Sequence, residues 1–200
     1  PCNVSGSSLS YTGAGTCVIA ADQAGNANYS AAPQVTASVV VNQASQTITF
    51  GPPPSLLVLG SATVTATGGG SGNAVIFSST TPTICSSGGT NGATIAGILG
   101  GSCVIAANQA GNANYTAAPQ VTQTLVVGAA GTSMTLTASP TAINVGERVT
   151  FVATVTPVAA QASAAMPGVK AGTQINAIPT GNVLFSDNGS PMATVALDGN

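Results

Sequence analysis

The sequence contains no histidine and no tryptophan, and its only charged side chains are Asp22, Glu147, Arg148, Lys170, Asp187 and Asp198. Charged residues make up about a quarter of ordinary globular composition; here they are 3%. Each shortage excludes a class of function. One Lys and one Arg cannot neutralise a phosphate backbone, which excludes nucleic acid as a partner. An anionic membrane surface is excluded on the same ground. Without histidine the many serines lack their usual activating base. Four scattered carboxylates offer no acid/base pair. Glu147 and Arg148 are neighbours on an expected strand and so point to opposite faces. The expectation is a chain that is not an enzyme and carries no cofactor. Gly, Ser, Thr or Pro interrupts every apolar run before the ~18 residues that a transmembrane helix needs, so no membrane insertion is expected of this segment.

What the chain does have is one stretch written twice. Cys17 to Thr36 reads CVIAADQAGNANYSAAPQVT, and Cys103 to Thr122 reads CVIAANQAGNANYTAAPQVT. The copies differ only at Asp22/Asn108 and Ser30/Thr116. A near-verbatim copy marks a module used in series, and the interval between the copies suits a small β-sandwich. The first copy starts so early that the chain is expected to open inside a module.

Each copy begins at a Cys with a second Cys upstream, Cys2 before Cys17 and Cys85 before Cys103. A four-Cys metal site would need short C-x-x-C knuckles, which are missing. Two disulfides within modules, Cys2–Cys17 and Cys85–Cys103, are expected, with buried free thiols as the alternative. Disulfides imply an oxidising compartment.

In chain order, Cys17–Ala20 and Val35–Val41 read as strands around a Gly/Asn turn at Gln23–Asn28. Asn42–Ser45 is a polar linker. Gln46–Phe50 alternates Thr with Ile48 and Phe50, the period-2 pattern of a half-buried strand. Pro52, Pro53 and Pro54 cannot donate ladder bonds and mark an edge or a crossing between sheets. Ser61–Thr67 alternates again, and Gly68–Gly72 is a loop. Ala74–Ser78, Thr94–Leu99, Cys103–Ala107 and Val121–Val127 complete about seven strands. Thr80–Cys85 holds a turn, and Gly128–Gly131 is a second linker. Beyond it Val149, Phe151, Ala153 and Val155 share one face. Asn188-Gly189 signals a tight hairpin whose two central residues need positive φ. An Ala/Gln/Gly-rich insertion at about 158–178 is longer than an ordinary sandwich loop and is expected to be flexible. No stretch shows helical apolar spacing.

The run from QTITFGPPP through FSSTTPTIC to GGSCVIAANQAGNANYTAAP resembles bacterial immunoglobulin-like domain repeats. The run TASPTAINVGERVTFVATVTP, followed by PTGNVLFSDNGSPMATVAL, resembles the group-3 type of these domains. Together the resemblances cover nearly the whole chain. They imply an all-β chain of tandem Ig-like Greek-key β-sandwich modules, the first and last truncated. Residues 1–43 would be the C-terminal strands of one module, 44–128 a complete module, and 129–200 the N-terminal part of a different one. The implied function is a non-catalytic spacer or stalk segment of a large extracellular or cell-surface repeat protein, with neighbouring Ig-like modules of the same chain as partners. The alternative is an adhesin or carbohydrate-binding module that meets a host or surface ligand with exposed loops or strand edges. A non-catalytic accessory segment of a secreted enzyme is a third reading.

Several motifs invite sharper readings. Asp22, Asn26 and Asn28 supply oxygens in AGNANY, but the second copy replaces Asp22 by Asn108 and keeps no carboxylate, which calcium sites usually include. The plainer reading is an Asn/Gly turn with Tyr29 and Tyr115 as structural loop clamps. GGGSG lacks the Lys-Ser/Thr of a phosphate cradle. Asn3, Asn28, Asn114 and Asn188 begin glycosylation-like triplets that are read as coincidence. Lys170 is a weak candidate for an isopeptide crosslink, because it lies in an expected loop. No metal site is expected. Each disulfide of this loop length contributes about 3 kcal/mol in the loop-entropy model. Dithiothreitol should therefore lower the melting temperature sharply, and an unchanged melt would remove the disulfides from the account of stability.

Overall fold

Short alternating runs bounded by Gly, Pro and Asn produce strands throughout, and the computed structural model describes residues 2–158 and 179–197 as an all-β chain. The strands are β1 (Cys2–Ser5), β2 (Ser8–Tyr11), β3 (Gly15–Gln23), β4 (Ala32–Val41), β5 (Thr49–Phe50) and β6 (Leu56–Leu57). Then come β7 (Ser61–Thr63), β8 (Ala66–Thr67), β9 (Val75–Ser79), β10 (Cys85–Gly88), β11 (Thr94–Gly97) and β12 (Gly101–Gln109). The last are β13 (Val121–Gly128), β14 (Gly131–Ser139), β15 (Thr150–Val158), β16 (Asn182–Asp187) and β17 (Ser190–Ala196). Among the described residues the only helical turn is 3-10, at Thr90–Gly92. Among the described residues no helix is long and apolar enough to cross a membrane.

A four-stranded sheet has the order β6-β13-β12-β9 and a three-stranded sheet the order β10-β11-β7. The pairs β1-β2, β3-β4, β5-β8, β14-β15 and β16-β17 form two-stranded sheets. The pairs β1-β2, β10-β11, β11-β7, β14-β15, β16-β17, β3-β4 and β5-β8 are antiparallel, whereas β13 runs parallel to β6, with Val127 facing Leu56 and Gly128 facing Leu57.

The chain divides into two compact units. The first joins Pro1–Gly51, Thr65–Phe77 and Ala106–Thr122. Its buried side chains are Cys17, Ile48, Phe77, Ala106, Ala107 and two glutamines, Gln46 and Gln109. The rings of Phe50 and Phe77 meet at 5.8 Å between centroids, within the range of favourable tilted aromatic pairs. The second unit joins Pro52–Val64, Ser78–Ile105 and Gln123–Asn200. It buries Leu56, Val58, Val64, Cys85, Ile95, Ala96, Cys103, Ile105, Leu125 and Val127. These are small aliphatic side chains, each contributing about 1.5–3 kcal/mol when fully buried if of Val or Leu size.

Two disulfides are present, Cys2–Cys17 with Cα atoms 5.8 Å apart and Cys85–Cys103 at 5.7 Å. Each joins the first strand of a short hairpin to a long strand of another sheet, β1 to β3 and β10 to β12. The hairpins correspond in register, with Cys2 opposite Tyr11 and Cys85 opposite Gly97.

The three-proline run is a crossing. It carries the chain from β5, paired with β8, to β6, paired with β13. Ser61–Thr67 is not one strand. Its first part, β7, pairs with β11, and its last part, β8, pairs with β5. Between them Val64 is buried and its amide donates to Ala93 O at 2.9 Å, while Thr65 O accepts from Gly51 N at 2.8 Å. Alternation survives the change of sheet, so the sequence pattern alone cannot reveal it. Gln46–Phe50 is strand only at Thr49–Phe50, although Ile48 is buried as its pattern requires. At the tight hairpin Asn188 and Gly189 both have positive φ, 47° and 83°. Val149, Ala153 and Val155 are half-buried, whereas Phe151 is exposed. The insertion expected at about 158–178, with Lys170, lies outside the described residues apart from Val158, which ends β15.

Ile95 is fully buried on β11, whereas Ile76 on β9 is largely exposed. Ile95→Ala should destabilise the chain by about 2–5 kcal/mol through the cavity it leaves. Ile76→Ala should stay within about 0.5 kcal/mol. Urea titration of both variants checks the pair.

Candidate functional site

The duplicated loop is the place where the sequence concentrates polar side chains, and its internal bonding is the same in both copies. Asn26 Oδ1 accepts from the amides of Asn28 at 2.8 Å and Tyr29 at 3.0 Å. Asn112 Oδ1 accepts from Asn114 and Tyr115 at the same distances. The Asn amides close the loops by donating to Tyr29 O at 2.8 Å and Tyr115 O at 2.9 Å. This is an Asx turn, in which a short side-chain oxygen takes the place of a backbone acceptor. The glycine before each Asn, Gly25 or Gly111, lies so close to the returning backbone that a Cβ would overlap it.

The Asp22/Asn108 difference has a structural partner in each copy. Asp22 Oδ1 accepts from Gln34 Nε2 at 2.9 Å, and Asn108 Oδ1 accepts from Gln120 Nε2 at 3.0 Å. Either side chain serves the same bond across neighbouring strands, so the exchange is tolerated without loss. Of Asp22, Asn26 and Asn28, weighed as calcium ligands, Asp22 and Asn26 have a side-chain oxygen bonded within the chain, whereas the bond of Asn28 is made by its backbone N–H. Among the described residues no three His, Cys, Asp or Glu side chains gather in a possible metal site.

The second loop is also docked against other chain segments. Ala44 N donates to Asn114 O at 2.8 Å and Thr116 N to Ala44 O at 2.9 Å, so the linker forms a parallel bridge beside Tyr115. Gln43 Nε2 donates to Asn112 O at 2.8 Å. Asn114 Oδ1 accepts from Ala14 N at 2.9 Å, tying the turn before β3 to this loop. The half-buried Tyr115 ring lies on Gly70, where a Cβ would overlap it. Tyr29, its counterpart, is 74% exposed.

Two buried glutamines, which hydrophobic patterning does not find, organise this docking. Gln109 Oε1 accepts from Gly69 N at 2.7 Å and Gln109 Nε2 donates to Asn73 O at 2.8 Å. Gln46 Nε2 donates to Ala110 O at 3.1 Å and its Oε1 accepts from Ser71 N at 2.9 Å. Ser71, Asn73 and Asn112 add bonds to Ala110 O, Gly111 O and Ser71 O. The Gly68–Gly72 loop is therefore a polar lid on the end of β12. Its backbone atoms are used internally, as the missing Lys-Ser/Thr already suggested. The one signal for these glutamines in the sequence is that Gln46 shares its period-2 face with Ile48 and Phe50.

A second feature lies between β14-β15 and β16-β17. Two apolar clefts of about 220 and 320 Å³ open there, with Phe151 and Phe185 lining both. Val183, Val195, Leu136 and Met192 complete the walls, and no titratable side chain is among the lining residues. Such a surface can bury apolar area, and the one hydroxyl in its lining, Ser186, has no titratable side chain beside it among the lining residues.

The chain matches no family model, no curated protein and no solved structure. Gln109→Ala should cost about 1–3 kcal/mol, because it removes both hydrogen bonds of a buried side chain, from Gly69 N and to Asn73 O. Gln23→Ala, at the same place in the first copy but exposed, should be nearly neutral. Paired chemical denaturation distinguishes the two, and equal losses would refute the role given to Gln109.

Proposed function

We propose that this chain is a non-catalytic spacer segment of an extracellular or cell-surface repeat protein, built from immunoglobulin-like sandwich modules in series. Residues 44–128 form the complete module in this reading, with parts of neighbouring modules on either side. The observation that carries it is the bonding of the duplicated stretch. Its Asx turns, its Asp22 or Asn108 pair and its disulfide cysteine recur in both copies and all engage the chain itself. Residues repeated for a ligand would present free polar atoms; residues repeated for architecture use them internally. The two disulfides support an oxidising location. A nearly uncharged surface makes contacts between modules insensitive to screening by salt.

The adhesin or carbohydrate-binding reading has one feature in its favour. Phe151, 53% exposed, and Phe185 line clefts open enough to receive an apolar or sugar face. A glycan array and a host-cell binding assay on the full chain decide between the readings. The spacer reading expects no saturable binding in either, and saturable binding lost on Phe151→Ser would establish the other. Stretching single molecules supplies the positive arm. With its bond intact, the stretch between Cys85 and Cys103 cannot extend, and reduction should add about 6 nm of contour, from ~3.4 Å per extended residue.

A further inference from the structure

The two copies have the same sequence but not the same surroundings, and the difference defines a docking surface. In β12 the side chains of Ile105, Ala106, Ala107 and Gln109 are buried. In β3 their counterparts Ile19, Ala20, Ala21 and Gln23 are half-buried or exposed. On the neighbouring strand Leu125 is 1% exposed and its counterpart Val39 is 39% exposed. On the second strand of each hairpin the outward valines behave alike, Val40 at 67% and Val126 at 72%. The discrepancy thus covers the inward face of the β3-β4 hairpin, at Ile19, Ala21, Gln23 and Val39, and on β3 it also reaches the opposite face at Ala20. The edges differ in the same way. β12 lies between β13 and β9, and β13 carries β6 on its other side. Among the described residues β3 pairs only with β4, and β4 only with β3.

The second copy shows what covers such a face. Residues 46–79 contain β9, β6, the buried Ile48 and Phe77, and the Gly68–Gly72 loop that binds Gln109. This segment has no charged residue. The inward face it would meet on β3 and β4 has none either, because Asp22 corresponds to the exposed Asn108 and not to the buried Ala107 or Gln109. The polar group the face does present is Gln23, whose Nε2 donates to the adjacent Ala24 O in place of the remote acceptor that Gln109 has.

We infer that the inward face and free edges of the β3-β4 hairpin are a docking site for a polypeptide segment of the residue 46–79 type. A strand equivalent to Val75–Ser79 adds to the free edge of β3, by the backbone pairing of β-augmentation. A strand equivalent to Leu56–Leu57 adds in parallel beside Val41, as β6 does beside Val127. The glycine-rich loop then takes Gln23, with one amide donating to its Oε1 and one carbonyl accepting from its Nε2. The apolar contacts supply affinity, and the glutamine and ladder fix register. The chain's own residues 46–79 stay in place on the second copy, because that contact is intramolecular and has the higher effective concentration. The inference stands on the paired burial and sheet order and does not depend on the spacer reading.

The test uses the full chain and a fluorescent synthetic peptide with the sequence of residues 46–79. Anisotropy should show saturable one-to-one binding, and hydrogen exchange should show new protection in β3 and β4. Gln23→Ala, exposed in the free chain, should weaken binding about tenfold, the equivalent of one net hydrogen bond of ~1.4 kcal/mol. The outward Val40→Thr should leave affinity unchanged. If the peptide aggregates, the same segment joined ahead of residue 1 by a Gly/Ser linker gives the same exchange readout. Absence of new protection in both formats would overturn the inference. So would binding indifferent to Gln23→Ala, or protection confined to strands other than β3 and β4. Self-association of the chain through this face that the peptide cannot displace would replace the proposed occupant with a second copy, and would equally overturn it.

Discussion

The amide of Gln109 is the contact on which the organisation of the second copy rests. Its two ends bond to Gly69 N and Asn73 O, which closes the glycine-rich loop over the end of β12. Gln46 repeats the device from the other side, between Ala110 O and Ser71 N. In a chain with so few charges these neutral amides do what ion pairs do elsewhere. A buried amide with both ends satisfied avoids the desolvation cost of a charge and, unlike an aliphatic side chain, accepts only one arrangement of its neighbours. A core of Val, Ile, Leu and Ala fills space without specifying it closely. The glutamines add the specificity.

Much of the strand pattern is legible in the sequence, and its failures have physical causes. β9, β12, β13 and β15 alternate long enough for period-2 reading to find them. The Asn188-Gly189 turn is legible because a requirement for positive φ at two successive residues restricts the residue types. The hairpin β1-β2 and strand β10 are rich in Ser and Gly, residues without strong β propensity. They are strands because a neighbouring strand pairs with them and a disulfide ties each first strand to another sheet. The division of Ser61–Thr67 between two partners is invisible because a change of sheet does not interrupt alternation. Of the candidate site, the disulfide pairs and the Asn/Gly turn are legible. The buried glutamines are not, since a polar residue on an apolar face reads as a break in the pattern until its partners are seen.

The duplicated stretch separates what local sequence determines from what packing determines. The Asx turn has the same bonds, to within a tenth of an ångström, around an exposed Tyr29 and a half-buried Tyr115. Nearby side chains and glycine set that geometry, whatever covers it. Burial of Val39 against Leu125, or of Gln23 against Gln109, follows instead from segments distant in sequence. A hairpin whose loop forms from its own residues is competent to receive a covering segment without first being shaped by it, so little ordering entropy remains to oppose docking.

This separation has a consequence for a repeated architecture. A chain that carries two near-identical strand sequences risks pairing a covering segment with the wrong one. Net charge offers no discrimination here, since the segments are neutral. What limits exchange is connectivity. The disulfide between Cys85 and Cys103 ties β10 to β12, and β10 follows residues 46–79 after one short turn. The front segment is thereby held close to its own long strand, and a closed loop of that length raises the effective concentration of the correct pairing over any intermolecular one. In the second copy the Cys85–Cys103 bond therefore keeps residues 46–79 near β12 in addition to its effect on stability. The AGNANY loop has the same bonds in both copies because its geometry is local, whereas the burial of the strands behind it depends on what packs against them.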